Sequence, residues 1–136
     1  MCLSRNVIWE IKKVIQEEYL NKNEKRVRKR YKSLKGQLQY YDRLKADIEH
    51  EIEFVSLRSV GIKEKERLFN RLHDVLIKRR KVKDLNFFYV KIIKYFEKDI
   101  EYTDLREEIL ECLERGKKRK YKKNIKRIRD KRVVRV

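Results

Sequence analysis

The chain of 136 residues has no proline and only three glycines, so it is short of the residues that make tight turns. This scarcity argues against a sheet protein with many turns and favours long helices, as does the 46% share of charged residues. The 40% share of hydrophobic residues is too high for general disorder. The length predicts a single domain.

The chain is also poor in cysteine. Cys2 and Cys112 are too few and too far apart for a disulfide framework or a zinc site. No apolar run approaches the roughly 20 residues that a membrane span needs, and the first residues lack the hydrophobic core of a signal peptide. We therefore expect a cytoplasmic protein without a membrane partner.

Motifs for catalysis are missing from the sequence as well. It contains no glycine-rich phosphate loop, no nucleophile elbow and no cluster of metal ligands. A helical hairpin would bring His50 and His73 near each other, but histidines at a helix interface usually pack or face solvent. We therefore predict that the protein is not an enzyme and has no cofactor and no metal site.

Positive charge is present in excess, with 40 Lys or Arg against 22 Asp or Glu and a net charge of +18. The surplus lies in two blocks. Residues 22–35 hold eight basic residues and one acid, residues 117–136 hold twelve and one, and the remainder is neutral in sum. Such blocks concentrate anions. The expected partner carries phosphate, as a small nucleotide or a nucleic acid, or is an acidic protein.

Apolar residues recur at helical spacing in four segments. A stripe from Val7 to Tyr19 predicts a short first helix, which precedes a longer one or continues into it. Two long patterns, Val27 to Val55 and Leu68 to Ile100, step by four and three residues, which is the spacing of a heptad seam. A shorter pattern follows at Leu105, Ile109, Cys112 and Leu113.

Three features predict where the helices end. Gly61 follows Val60 between the two long patterns and marks a turn. Asp104 has Glu107 three residues later, the spacing of a capping box, and Gly116 has the position of a left-handed residue closing a helix. The predicted fold is all-α: a long antiparallel, coiled-coil-like hairpin with a shorter N-terminal helix and a capped C-terminal helix. Residues 1–116 form one helical domain, and residues 117–136 form a basic tail that is mobile or becomes ordered on binding.

Polar residues occupy some seam positions. Folding the hairpin about residues 60–63 places Lys45 level with Arg79, and two such cations need a negative charge between them. Either carboxylates one turn away neutralise them (Asp42, Glu49, Asp74 and Asp84), or the cations form an anion pocket. In the second interpretation phosphate is bound by Lys45, Arg79, Arg80 and Lys83. Asn86 and aromatic residues including Phe88 then contact a base, although aromatic residues at this spacing are more often core.

Three segments resemble a known family: residues 47–54, with the sequence DIEHEIEF; residues 72–84, LHDVLIKRRKVKD; and residues 119–125, RKYKKNI. They resemble small helical counter-defence proteins of bacteriophages, the anti-Thoeris sponges that bind cyclic ADP-ribose isomers. The resemblance implies a homo-oligomer in the cytosol of a bacterial host. It would sequester a signalling nucleotide without catalysis, with contacts from Arg79, Arg80, Lys83, Arg119 and Tyr121.

The charge blocks support a second hypothesis, a helical nucleic-acid-binding protein with two basic patches. Its contacts would come from Lys25, Arg26, Arg28, Lys29 and Arg30 and, in the tail, from Lys117, Lys118, Arg119, Lys120, Lys122 and Lys123. Affinity would then fall steeply with salt, because each phosphate contact releases counterions. No helix-turn-helix, zinc-finger or aromatic-sheet signature is present. A module that docks on a nucleic-acid-loaded complex is the third possibility.

Overall fold

The computed structural model describes residues 3–56 and 61–117, which form four helices and no strand. Helix α1 (Arg5–Val14) passes into a π-helical turn (Ile15–Tyr19), and α2 (Glu24–Ser56), α3 (Ile62–Lys98) and α4 (Tyr102–Lys117) follow. The all-α prediction is confirmed. Val60 and nearly all of the predicted basic tail, residues 118–136, lie outside the described residues. No helix of the described ranges is long and apolar enough to cross a membrane.

Helices α2 and α3 form the predicted antiparallel hairpin. Three ion pairs between them fix the direction: Arg28 with Glu97 at 3.1 Å, Asp42 with Arg79, and Glu51 with Arg71 at 3.4 Å. As the residue number rises on α2, that of its partner on α3 falls. The heptad seam is buried where it was expected, at Val27, Leu34 and Ile48 on α2 and at Leu68, Val75, Val82, Tyr89 and Ile93 on α3.

The N-terminal helix is separate from α2. Lys22 adopts a left-handed backbone with φ of 55°, and its N–H donates to the carbonyl of Tyr19 at 3.0 Å. The N–H of Asn23 donates to the carbonyl of Glu18 at 2.8 Å. Because a left-handed residue interrupts the right-handed helix, α1 does not continue into α2, which decides between the two expected arrangements.

The prediction that Asp104 caps α4 is wrong, because the helix begins about one turn earlier. The helix begins at Tyr102, and the N–H of Leu105 donates to the carbonyl of Glu101 at 3.0 Å. Asp104 therefore lies within the first turn, where its negative charge interacts favourably with the helix dipole. The left-handed residue that closes a helix is instead Asp99, at the end of α3, with φ of 51°.

Gly116 does not have the predicted left-handed backbone, because it lies inside α4 and no glycine of the described chain has a positive φ. Its absent side chain makes room for Leu3. A Cβ atom on Gly116 would clash with Leu3 Cδ1 and lie 2.7 Å from Leu3 Cγ. The N–H of Leu3 donates to the carbonyl of Gly116 at 3.4 Å, so the glycine joins the N-terminal segment to α4.

The core divides the hairpin into two parts. We call residues 24–43 and 78–98 the base, and residues 44–56 and 61–77 the tip. At the base, α1, the π-helical turn and α4 pack over the hairpin, and all four helices share one apolar cluster. At the tip, the buried apolar residues are confined to the seam between two helices, at Ile48, Leu68 and Val75.

Candidate functional site

The cations of the seam are neutralised within the protein. Arg79 Nε donates to Asp42 Oδ1, Lys45 Nζ lies 2.9 Å from Glu49 Oε1, and Arg80 Nε lies 3.5 Å from Asp84 Oδ1. These are the carboxylates of the first interpretation of the seam. Three of the four predicted phosphate-binding cations already have a carboxylate partner, so the seam needs no external anion.

The remaining residues of the predicted pocket are in different environments. Lys83 is exposed and Asn86 is half-buried, whereas Phe88 is only 2% exposed and belongs to the core. The prediction that Phe88 contacts a ligand therefore needs correction, because its ring has no free face for stacking. Its neighbour Phe87 is 51% exposed. Helix α3 is covered by α2 on one side and by the other helices on another, so its buried arc is wider than the seam and includes Phe88.

Lys83 and Asn86 do share a groove. It has a volume of about 430 Å³ and lies where Leu38 of α2 faces α3, and its other lining residues are Phe87, Val90, Lys91 and Lys94. Lys91 Nζ is 5.2 Å from the centre of the Phe87 ring. The Oδ1 atom of Asn86 is buried and has no hydrogen-bond partner among the described residues. A groove with apolar walls, three lysines and an exposed ring can hold a small anion that has an aromatic part.

The cations of the first charge block, residues 22–35, differ in their contacts. Its three arginines form ion pairs with neighbouring elements of the fold. Arg26 lies 3.6 Å from Glu18 in the π-helical turn, Arg30 lies 3.1 Å from Glu10 in α1, and Arg28 contacts both Glu24 and Glu97. The hydrogen bonds that Arg28 donates to Glu24 and Glu97 raise the pKa of its guanidinium. These side chains are engaged in the fold and are not free to bind a partner without losing those contacts.

Three lysines of the same block are free, whereas Lys35 Nζ lies 4.6 Å from the centre of the Tyr31 ring. Lys25, Lys29 and Lys32 are exposed, and none has a carboxylate partner within the described ranges. Each lies two residues before a seam position of α2, which places it on the opposite side of the helix. The same register continues along α2 through three more exposed residues. We call these six positions the outward stripe: Lys25, Lys29, Lys32, Gly36, Gln39 and Arg43.

A third basic block lies in α3. It does not stand out in the net charge of the sequence, because acidic residues elsewhere balance it. Residues 78–98 contain eight Lys or Arg and two acids, the same numbers as residues 24–43. The antiparallel hairpin places these segments side by side, so the base is strongly positive. Residues 44–56 of the tip contain one Lys and four acids. Counting charge by paired positions of the hairpin would have found this asymmetry from the sequence.

Other candidate sites lack support or lie outside the described residues. His50 and His73 are both exposed, and no group of three His, Cys, Asp or Glu residues close enough to hold a metal ion occurs in residues 3–56 and 61–117. Lys117 is the last residue of α4. The other predicted tail contacts lie outside the described residues: Lys118, Arg119, Lys120, Tyr121, Lys122 and Lys123.

Comparison of the chain with protein-family models, curated proteins and solved structures finds no match. The resemblance to the anti-Thoeris sponges therefore rests on three short segments and stays a prediction. Two surfaces are therefore the candidate binding sites of the described chain: the outward stripe of α2 and the groove beside Lys83.

Proposed function

We propose that the protein binds nucleic acid through the base of the hairpin, with the outward stripe of α2 at the centre of the contact. The observation that carries the proposal is that Lys25, Lys29 and Lys32 are exposed and unpaired, whereas the arginines between them are held by carboxylates. The paired arginines join neighbouring elements of the fold, and the unpaired lysines remain available to an anionic partner.

The free lysines weaken the isolated helix. Lys25 and Lys29 are four residues apart and Lys29 and Lys32 are three apart, so they are neighbours on the helix surface. Like charges at these spacings destabilise a helix by about 0.2–0.5 kcal/mol per pair. On the exposed face of α3 near the tip, by contrast, Lys78 pairs with Asp74 at 3.0 Å. A polyanion bound to the outward stripe would relieve the repulsion.

The length of the stripe supports a polymeric ligand. From Lys25 to Arg43 it extends roughly 27 Å at about 1.5 Å per residue. A small nucleotide with two phosphates engages only part of such a row, whereas a duplex carries one negative charge per about 1.7 Å of its axis. The twelve basic residues of the segment 117–136 raise the net positive charge of the chain further, which favours a polyanionic ligand.

The test compares two triple variants that remove the same charge. Lys25→Gln/Lys29→Gln/Lys32→Gln removes three of the four cations of the stripe and leaves Arg43, and Lys63→Gln/Lys65→Gln/Arg67→Gln changes three exposed cations at the tip. Binding to a fluorescent duplex of random sequence is measured by anisotropy at several salt concentrations. We expect the first variant to lower the slope of log affinity against log salt by about 3, because three phosphate contacts are lost.

The tip variant should retain the slope and most of the affinity. Equal losses in both variants would show that net charge alone attracts the nucleic acid, and would contradict a defined interface on α2. Absence of duplex binding by the unmodified protein at low salt would refute the proposed function itself.

The groove beside Lys83 favours a second candidate, a counter-defence protein that sequesters a signalling nucleotide such as a cyclic ADP-ribose isomer. The exposed Phe87 ring is available for a base, and Lys83 and Lys94 have no carboxylate partner among the described residues. The unpartnered Asn86 Oδ1 atom adds a polar group that a ligand would satisfy. In this candidate the protein binds its ligand without chemistry.

Isothermal titration tests this candidate with cyclic ADP-ribose isomers at low and moderate salt. Saturable binding at both salt concentrations, lost in Lys83→Gln and weakened in Phe87→Leu, is the expected result. The matched control is Lys65→Gln, which removes one exposed charge at the tip. Light scattering of the free and bound protein tests the homo-oligomer that the resemblance implies. Heat of binding in the control but none in Lys83→Gln would separate the groove from general charge effects.

A further inference from the structure

Gly36 lies in the middle of the outward stripe, and no contact among the described residues explains a glycine there. It is exposed, and α2 continues for twelve residues before it and twenty after it. A glycine inside a helix lowers the stability of the helix relative to alanine. A Cβ atom built on Gly36 meets no atom within 4 Å, so no neighbouring side chain needs the space.

Gly116 has different surroundings from Gly36. At Gly116 the position of a Cβ atom is occupied by the Leu3 side chain, so any other residue there would have to displace Leu3. Gly36 also has no positive φ and no turn to make, since α2 passes through it as a regular helix. Close approach of another molecule is a physical reason for a glycine at such a place, since no contact among the described residues calls for one.

The neighbours of Gly36 indicate what approaches. Along the stripe the residues on either side are Lys32, one turn earlier, and Gln39, one turn later, with Lys29 and Arg43 beyond them. All are exposed and none of the four is acidic. A gap in side-chain bulk between cations, with an amide donor beside it, suits a phosphodiester backbone that lies against the helix.

We propose that the sugar–phosphate backbone of a double-stranded nucleic acid crosses α2 at Gly36, with flanking phosphates held by Lys29, Lys32 and Arg43. This inference rests on the proposed function and makes it specific. A single strand is the less suitable ligand, because single-strand sites stack bases on aromatic side chains and the stripe has none. The nearest exposed ring, that of Tyr40, lies beside the stripe and packs edge-on against Tyr41.

The test fills the gap without changing the charge. Gly36→Gln and Gly36→Ala should both raise the thermal unfolding midpoint, because both residues are better helix formers than glycine. Gly36→Gln should weaken duplex binding at least tenfold and Gly36→Ala by less, in order of side-chain size. The matched control is Ala46→Gln, an exposed position in the same register of α2 but nearer the tip, which should leave the affinity unchanged.

The outcomes separate this inference from the function beneath it. Duplex binding that depends on Lys25, Lys29 and Lys32 but is the same in Gly36→Gln as in Ala46→Gln would overturn the crossing at Gly36 and leave the proposed function intact. Equal affinity for a single strand of the same length, with the same loss in Gly36→Gln, would overturn the assignment to a duplex. More stable folding together with weaker duplex binding in both Gly36 variants would support the inference.

Discussion

The base and the tip of the hairpin continue one heptad seam but differ in what surrounds it. At the base, α1 and α4 cover the hairpin and the paired segments are strongly positive. At the tip, the seam is the main apolar contact, and residues 61–77 contain four basic and three acidic residues. The seam determines which helices pair. The packing of further helices and the placement of charge distinguish the base, which is the candidate binding region, from the tip.

Large apolar side chains are exposed in both regions, and the base leaves Tyr40 at 54% and Phe87 at 51% exposed. The tip leaves three large apolar side chains open, Phe54 at 55%, Ile62 at 76% and Phe69 at 57% exposed. Two packed helices have no second layer to cover such residues. We therefore expect the tip to contribute less free energy of unfolding per residue than the base, because less apolar area is buried there.

The largest predicted effect is a truncation of the core of the base. Ile92 and Ile48 are both almost fully buried, but Ile92 lies in the cluster shared by four helices and Ile48 in the seam of the tip. We expect Ile92→Ala to lower the free energy of unfolding by about 4 kcal/mol and Ile48→Ala by about 2 kcal/mol. The thinner tip collapses more easily around a cavity. Urea denaturation followed by circular dichroism measures both, and equal losses would contradict the difference in packing.

A second prediction concerns alkaline pH and is specific to the base. Burial raises the pKa of Tyr89, as does the nearby Glu10 carboxylate, and burial and a hydrogen bond with Glu108 raise the pKa of Tyr95. The folded state therefore favours the neutral phenols, whereas unfolded tyrosine ionises near 10.0. This stabilisation is complete below pH 10 and is lost as the pH rises further, since the unfolded chain releases these protons more readily.

Thermal unfolding at a series of pH values above neutrality tests this prediction. Tyr89→Phe should lower the free energy of unfolding by about 1 kcal/mol at neutral pH and should make the alkaline decline less steep. Tyr40→Phe, at a position 54% exposed, should leave the decline unchanged and is the control. A decline of the same steepness in all three proteins would show that other groups cause it.

The smallest predicted effect is a change of backbone preference at the end of α3. Asp99 has a left-handed backbone, so Asp99→Gly should raise the free energy of unfolding by about 0.5–1 kcal/mol. Gly61 precedes α3 at the tip with an ordinary φ of −63° and accepts an L-residue without strain. Alanine is a poorer N-cap than glycine but loses less chain entropy on folding, so Gly61→Ala should change stability by less than about 1 kcal/mol. Chemical denaturation compares the two, and a loss of stability in Asp99→Gly would contradict the strain argument.

The helices and their pairing could be predicted from the sequence because they depend on spacing. Steps of four and three from Val27 to Val55 place those residues on one side of a helix whatever else the chain does. The ends of the helices could not be predicted as reliably. Asp104 is a residue type that favours the N-cap, and Gly116 is one that favours the C′ position. In the structure Asp104 lies inside the first turn of α4, and Gly116 packs against Leu3.

The candidate site was predictable in its parts and not in its arrangement. Lys83 and Asn86 were expected in a ligand pocket and do line a groove, but the exposed ring beside them is Phe87 and not Phe88. Phe87 and Phe88 are adjacent and of the same residue type, so the sequence pattern does not distinguish them. Which of them is buried depends on the packing of α1 and α4 against one side of α3, which the local spacing does not specify.

The sequence by itself determined the all-helical class, the antiparallel hairpin and the excess of positive charge, because these follow from periodicity and composition. Only the tertiary structure decided which cations are free. Arg26, Arg28 and Arg30 reach carboxylates on other helices or one turn away, whereas Lys25 and Lys29 are exposed and meet no carboxylate among the described residues. An ion pair between helices requires two side chains to meet in space, and the linear order of residues does not specify that meeting.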